Sequence, residues 1–232
     1  AYSSIFIATP FLAQLKEGQP EMKSLAARVA ARRKQSKPVE GADGAVVEAG
    51  ALSYRVGPVA DDPVRLRKIL DEQLGRADMV VTTGGIGTEP DDVLRPVLAT
   101  MGTVDFAFVA MSPGRVQGTG SLGSSNVPLI ALPGEPTAAF VGFELFVRPV
   151  IRRLMGHAEV FPAREPVELT EAVSGEPDVT TLVPVAVVDG TAAPVGEGVR
   201  ALTRANALAV VAPPHVDLHK GETVMAMRLE HG

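Results

Sequence analysis

Three short connections in this chain carry the residue types best suited to chemistry. The first is Ala60-Asp61-Asp62-Pro63, the second Gly84-Gly85-Ile86-Gly87, and the third Pro133-Gly134-Glu135-Pro136-Thr137. Each follows an apolar run of strand length (52–59, 79–83 and 128–132) and precedes a helix-forming stretch. Glycine lets backbone approach a ligand closely, and a helix N-terminus offers free N–H groups to an anion. If the three strands run parallel in one sheet, the loops share its carboxyl edge, where open α/β sheets bind ligands. The pattern predicts a phosphate-bearing ligand held by Thr83, Gly84, Gly85, Gly87, Pro133, Gly134 and Thr137. A tight turn is the alternative use of any one of these glycines. Asp61 and Asp62 are candidates for a divalent cation bridging phosphates. Asp62 is equally placed to cap the helix that begins at Pro63. Asp91 and Asp92, just past the glycine loop, present the same choice. Arg115 follows a strand and either reaches an anion or faces solvent. His157, His215, His219 and His231 show no metal spacing and read as surface residues.

The elements that must position these loops alternate. Strands are expected at 4–9, 52–59, 79–83, 104–111 and 128–132, and helices at 24–31, 63–74, 91–101 and 137–155, the last kinked at Pro149. The strands are continuous apolar runs without alternation, which predicts an α/β fold with a parallel sheet covered by helices on both faces. Residues 32–44 read as an exposed loop or insertion. After Gly156 come short strands at 167–169, 181–188, 208–211 and 223–229 between Gly, Pro and Asp turns, the pattern of a small all-β unit. The expected domains are therefore 1–156 (α/β) and 157–232 (β).

With 232 residues, 46% of them hydrophobic, the chain can bury a sizeable core. Cysteine is absent, which excludes disulfides, thiolate metal sites and cysteine nucleophiles and fits a reducing cytoplasm. A net charge of −5 argues against nucleic acid. The one basic run, 28–37, has no interleaved aromatics and reads as a solvated helix end or loop. No apolar run approaches the ~20 residues needed to span a bilayer. The chain starts at Ala1 rather than Met, which suggests a fragment or processed product.

Taken together, the motifs resemble one family. The segment VVTTGGIGTEPDD (80–92) is similar to the TTGGVSxGxxD signature of the molybdopterin molybdenumtransferases, MoeA in bacteria and the gephyrin E domain in animals. YRVGPVADDP (54–63), VAMSPGRVQGTG (109–120) and ALPGEPTAAFVGFELFVRPVIRRLMG (131–156) follow in the family's order, the last two carrying its kPGkP and LPGNPvSA signatures. Residues 5–9 and 17–27 look like a worn start of the same domain. TRANALAVV (203–211) and GETVMAMRL (221–229) look like its small β domain. The resemblance does not take in the family's two amino-terminal domains.

The resemblance implies an enzyme that inserts molybdenum into adenylated molybdopterin, with magnesium and release of AMP. Asp62 and Asp92 match the family's acids and would be catalytic if activity is retained, with Asp61 and Asp62 as the magnesium ligands. Several other positions depart from the pattern. The first-strand loop, TGDEL in the family, reads Thr9-Pro10-Phe11-Leu12-Ala13. Two lysines fall on Phe108 and Ser112, Arg115 replaces a third, and the Asn of LPGNP is Glu135. The family's GSH stretch falls near Gly196-Glu197. The segment VAMSPGRVQGTGSLG resembles most the actinobacterial gephyrin-like branch that scaffolds cell division. That branch implies a catalytically degenerate homodimer binding the FtsZ carboxy-terminal tail and a membrane receptor. Phe108 and Val109 would then line a peptide cleft between the two domains. A working molybdenumtransferase is the alternative.

Overall fold

The computed structural model describes residues 2–9, 42–60, 62–87, 92–196, 198–214 and 216–229. The expected helix at 24–31, Asp61, Asp91 and the worn loop after Thr9 lie outside the described residues. Described strands are β1 (Tyr2–Thr9), β2 (Leu52–Ala60), β3 (Met79–Thr83), β4 (Gly102–Phe108), β5 (Met111–Ser112), β6 (Val116–Leu122) and β7 (Val127–Leu132). They are accompanied by α1 (Ala42–Glu48), α2 (Pro63–Leu74), α3 (Leu94–Ala99), α4 (Pro136–Gly142) and α5 (Arg148–Leu154). Six of the strands form one sheet in the order β2-β1-β3-β7-β6-β4.

The α/β class and the covering of both faces hold. Alternate residues of β3 and β7 point to opposite sides. Val80, Leu129 and Ala131 pack with Leu66 and Leu70 of α2 and Leu94, Val97 and Leu98 of α3. Met79, Val81, Ile130 and Leu132 pack with Val46 of α1, Phe143, Val147 and Ile151. The sheet itself is mixed. β3 and β7 pair in parallel, whereas β1–β2, β1–β3, β4–β6 and β6–β7 are antiparallel. The reason at the β6–β7 side is the tight turn 123–126, with Gly123 and Asn126 at positive φ. A turn that short can join only antiparallel strands.

Three element boundaries differ from expectation. α1 begins at Ala42, inside the stretch expected to be an insertion up to residue 44. The expected strand at 104–111 is β4 plus the short β5, and it is followed by β6, which was not expected. The long helix at 137–155 is present, but it runs from α4 through a π-helical turn (Phe143–Val147) into α5. Pro149 lacks the N–H of a regular α-helix, and the wider turn lies just before it. That turn carries the buried pair Glu144–Arg148, with Arg148 Nε 2.7 Å and one terminal nitrogen 2.8 Å from the two carboxylate oxygens.

The strands that follow are β8 (Arg164–Leu169), β9 (Val173–Ser174), β10 (Thr180–Val188), β11 (Thr191–Pro194), β12 (Ala207–Val211), β13 (Asp217–Leu218) and β14 (Thr223–Arg228), with a short helix α6 (Val199–Leu202). The boundary expected at His157 falls between α5 and β8. The second sheet, β11-β8-β14-β12-β10-β5, recruits β5 from the first part of the chain. A shared core of Met111, Val141, Leu182, Leu208, Met227 and Leu229 joins the two parts. No described helix is long and apolar enough to cross a membrane.

Candidate functional site at the carboxyl edge of the first sheet

β1 is antiparallel to both β2 and β3, so those two strands share a direction, and β7 is parallel to β3. The loops after β2, β3 and β7 therefore leave the sheet at the same end. At the β3–β7 pair they touch. The Gly84 N–H donates to the Leu132 carbonyl at 3.0 Å. Gly84 and Gly85 have φ of 81° and 68°, a conformation open to glycine at little cost. A Cβ on Gly134 would lie 3.1 Å from the Gly84 Cα. Thr83, Gly84, Gly85, Pro133 and Gly134 are thus brought together, with Gly87 at the exposed end of its loop.

The helix ends that could receive an anion are differently disposed. At α2, the Asp62 Oδ1 accepts from the Val64 N–H at 2.9 Å and the Arg65 N–H at 3.2 Å. It is the cap that its position before Pro63 allowed. At α4, Glu135 does the same work, accepting from the Thr137 N–H at 2.8 Å and the Ala138 N–H at 2.6 Å. Partial burial opposes the charge on Glu135, but those two backbone donors and the Thr137 hydroxyl outweigh it and hold the carboxyl below its ordinary range. The donors predicted to meet a ligand phosphate at Thr137 are therefore occupied by a carboxylate of the chain itself. α3 has no side-chain cap, and Asp92 lies half-buried two residues before it.

Arg115 does not face solvent alone. It pairs with Glu176, which also accepts a hydrogen bond from the Ser112 hydroxyl. These two hydrogen bonds lower the Glu176 pKa, the Ser112 contribution being the larger, with the Arg115 charge adding to them. The cation thus reads an internal anion supplied by the β unit. Nearby, Phe108 ends β4 with 81% of its surface exposed, while Val109 packs against the shared core.

Two residues of this edge carry no motif signal. Glu176 sits in a loop of the β unit with nothing in its local sequence to mark it. Arg95 in α3 donates from Nε to the Ile86 carbonyl at 2.7 Å and lies 4.5 Å over the Phe106 ring.

Asp62 gives one oxygen to its helix, and among the described residues no group of three or more His, Cys, Asp or Glu side chains converges; Asp61, expected to share magnesium with Asp62, lies outside them. Two shallow hollows lie on other parts of the surface. One runs between α2 and α3, lined by Val64, Arg67, Pro96 and Thr100, and the other lies near Asp78 and Asn126. The first reaches the loop after β2 only at Pro63, and neither includes the loops after β3 and β7.

Residues 42–153 match the family described as a probable molybdopterin binding domain (MoCF_biosynth), a span that takes in all three loops. The chain is 45% identical over 109 residues to molybdopterin molybdenumtransferase 1 of Mycobacterium tuberculosis, covering 47% of this chain and 26% of that protein. It is 36% identical over 107 residues to the molybdopterin molybdenumtransferase of Bacillus subtilis, covering 46% and 24%. The chain thus spans about a quarter of the length of these relatives. Among solved structures it resembles a molybdopterin biosynthesis MoeA protein of Pyrococcus horikoshii, with a TM-score of 0.63 and 23% identity over 74% of this chain and 42% of that one. A molybdenum cofactor biosynthesis protein of Pyrococcus furiosus gives a TM-score of 0.59 and 22% identity, covering 74% and 56%. At these identities the likeness is one of fold.

Proposed function

We propose that the chain is a catalytically degenerate member of the MoeA family of molybdenum cofactor biosynthesis proteins, a reading supported by the match of residues 42–153, by the relatives above and by the fold. It keeps the family's loop frame and has lost the charges that molybdenum insertion needs. In this reading it works as a homodimeric, gephyrin-like scaffold of the cell division machinery, binding the FtsZ carboxy-terminal tail and a membrane receptor. The observation that carries the degeneracy is Glu135, whose carboxylate takes the α4 backbone donors a substrate phosphate would use. Phe108 and Ser112, which stand where the family signature has lysines, add to it. Supporting the scaffold role is Phe108, a large exposed aromatic beside the β unit and suited to anchor an apolar side chain.

A second reading is favoured by the 45% identity to a molybdopterin molybdenumtransferase. It would make the chain a molybdopterin molybdenumtransferase that inserts molybdenum into adenylated molybdopterin with release of AMP. One pair of assays separates the two. Molybdenum insertion by the purified chain is expected at least ~100-fold below that of the Mycobacterium tuberculosis relative, since one preorganised electrostatic contact is worth ~10²–10³ in rate. An FtsZ-tail peptide is expected to bind with roughly micromolar affinity, nearly insensitive to salt, and Phe108→Ala should weaken it. Turnover matching the relative overturns the degeneracy. Absence of peptide binding overturns the scaffold role.

A further inference from the structure

The glycine loop Gly84–Gly87 needs something to hold it, because Gly84 and Gly85, both at positive φ, have no side chain to restrict their backbone. Ile86 is buried against the α2–α3 side of the sheet, which fixes its side chain but leaves its carbonyl to be satisfied. The Arg95 Nε–H meets that carbonyl at 2.7 Å. The guanidinium is in turn backed by the Phe106 ring at 4.5 Å, a flat cation on an aromatic face. Arg95 of α3 thus holds the loop directly, and Phe106 of β4 holds Arg95.

We propose that Arg95 is the positioning residue of the site: through the Ile86 carbonyl and the Phe106 face it locks the glycine loop in its ligand-ready shape. The clamp is a property of the free chain. Its consequence for a phosphate-bearing pterin rests on the reading that Gly84–Gly87 is the family's ligand loop. Lysine cannot substitute fully, because it lacks the planar fork that stacks and donates at once.

Hydrogen exchange on the intact free chain tests the clamp. In Arg95→Ala, exchange across 83–87, including the Gly84 N–H now bonded to Leu132, should quicken by about tenfold or more, the scale of a lost hydrogen bond to a charged group. Amides of 79–82 should change by less than about threefold, since their ladder bonds are untouched. Arg95→Lys and Phe106→Leu should each fall between wild type and Arg95→Ala, and they decide the matter if Arg95→Ala does not fold. Unchanged exchange at 83–87, or an equal rise across 79–87, overturns the proposal. A second arm uses Glu135→Asn, in which the α4 donors are no longer held by a charge. There Arg95→Ala should weaken adenylated molybdopterin by roughly tenfold. If Glu135→Asn binds no adenylated molybdopterin, the ligand reading of the loop fails, and the exchange result alone decides the clamp.

Discussion

At Glu135 one side chain links local structure to function. Its carboxylate caps α4 and, by the same two hydrogen bonds, withdraws the helix N-terminus from any other anion. Its folded pKa is held below the ordinary glutamate value. A lowered folded value means stability that is present above the unfolded pKa and lost as pH falls through the folded one. Glu135→Ala should therefore cost about 0.5–2 kcal/mol near neutral pH in urea unfolding. Because the residue is exposed, the low end applies. The gap between variant and wild type should shrink as pH drops through the lowered value. A gap that stays constant into acid would contradict this assignment. The residue scale was also where the sequence was least legible. Asp62 before Pro63 announced a cap, and it is one. Glu135 stood in a family signature as a departure, and only the fold reveals that the departure caps α4. Arg95 gave no signal, because its partner is a backbone carbonyl, which no motif records.

At the scale of elements, the contact between the β3 and β7 loops rests on the absence of a side chain at Gly134. A Cβ there would stand 3.1 Å from backbone of Gly84, which cannot swing aside as a side chain could. Gly134→Ala should therefore cost about 1–3 kcal/mol, the range for overpacking. It should also perturb the NMR shifts of Gly84 and Gly85 before those of α2. Stability and shifts matching wild type would contradict the close approach. The β3 and β7 loops were legible because strand, glycine turn and helix follow in order. β6 was not, because its Gly118 and Gly120 weaken strand propensity. Those glycines have a tertiary cause: a Cβ at 120 would come 2.1 Å from the Thr103 carbonyl oxygen, and one at 118 would meet the Phe106 ring at 2.6 Å. The β4–β6–β7 part of the mixed sheet was missed for the same reason, whereas β1, expected as a strand, runs antiparallel to β2 and β3 with nothing in its own residues to mark the direction.

The molecule as a whole is more tightly joined than its two-part sequence grammar suggests. β5 lends its backbone to the second sheet through the parallel pairing with β10, and Met111, Val141, Leu182, Leu208 and Met227 share one core. Removing residues 157–232 would uncover Met111 and Val141, so intact chains are the proper test material. At this scale the proposed function reduces to an anion site kept as a frame and closed by the chain's own Glu135 carboxylate. Calorimetric titration of adenylated molybdopterin into the wild-type chain and Glu135→Asn, at one pH and salt concentration, tests it most directly. Asparagine keeps the cap and removes the charge. The account predicts weak or undetectable binding by the wild type and an affinity at least about tenfold higher for the variant, as expected when a hydrogen-bonding charge no longer competes for the donors. Tight wild-type binding that Glu135→Asn leaves unchanged would contradict it.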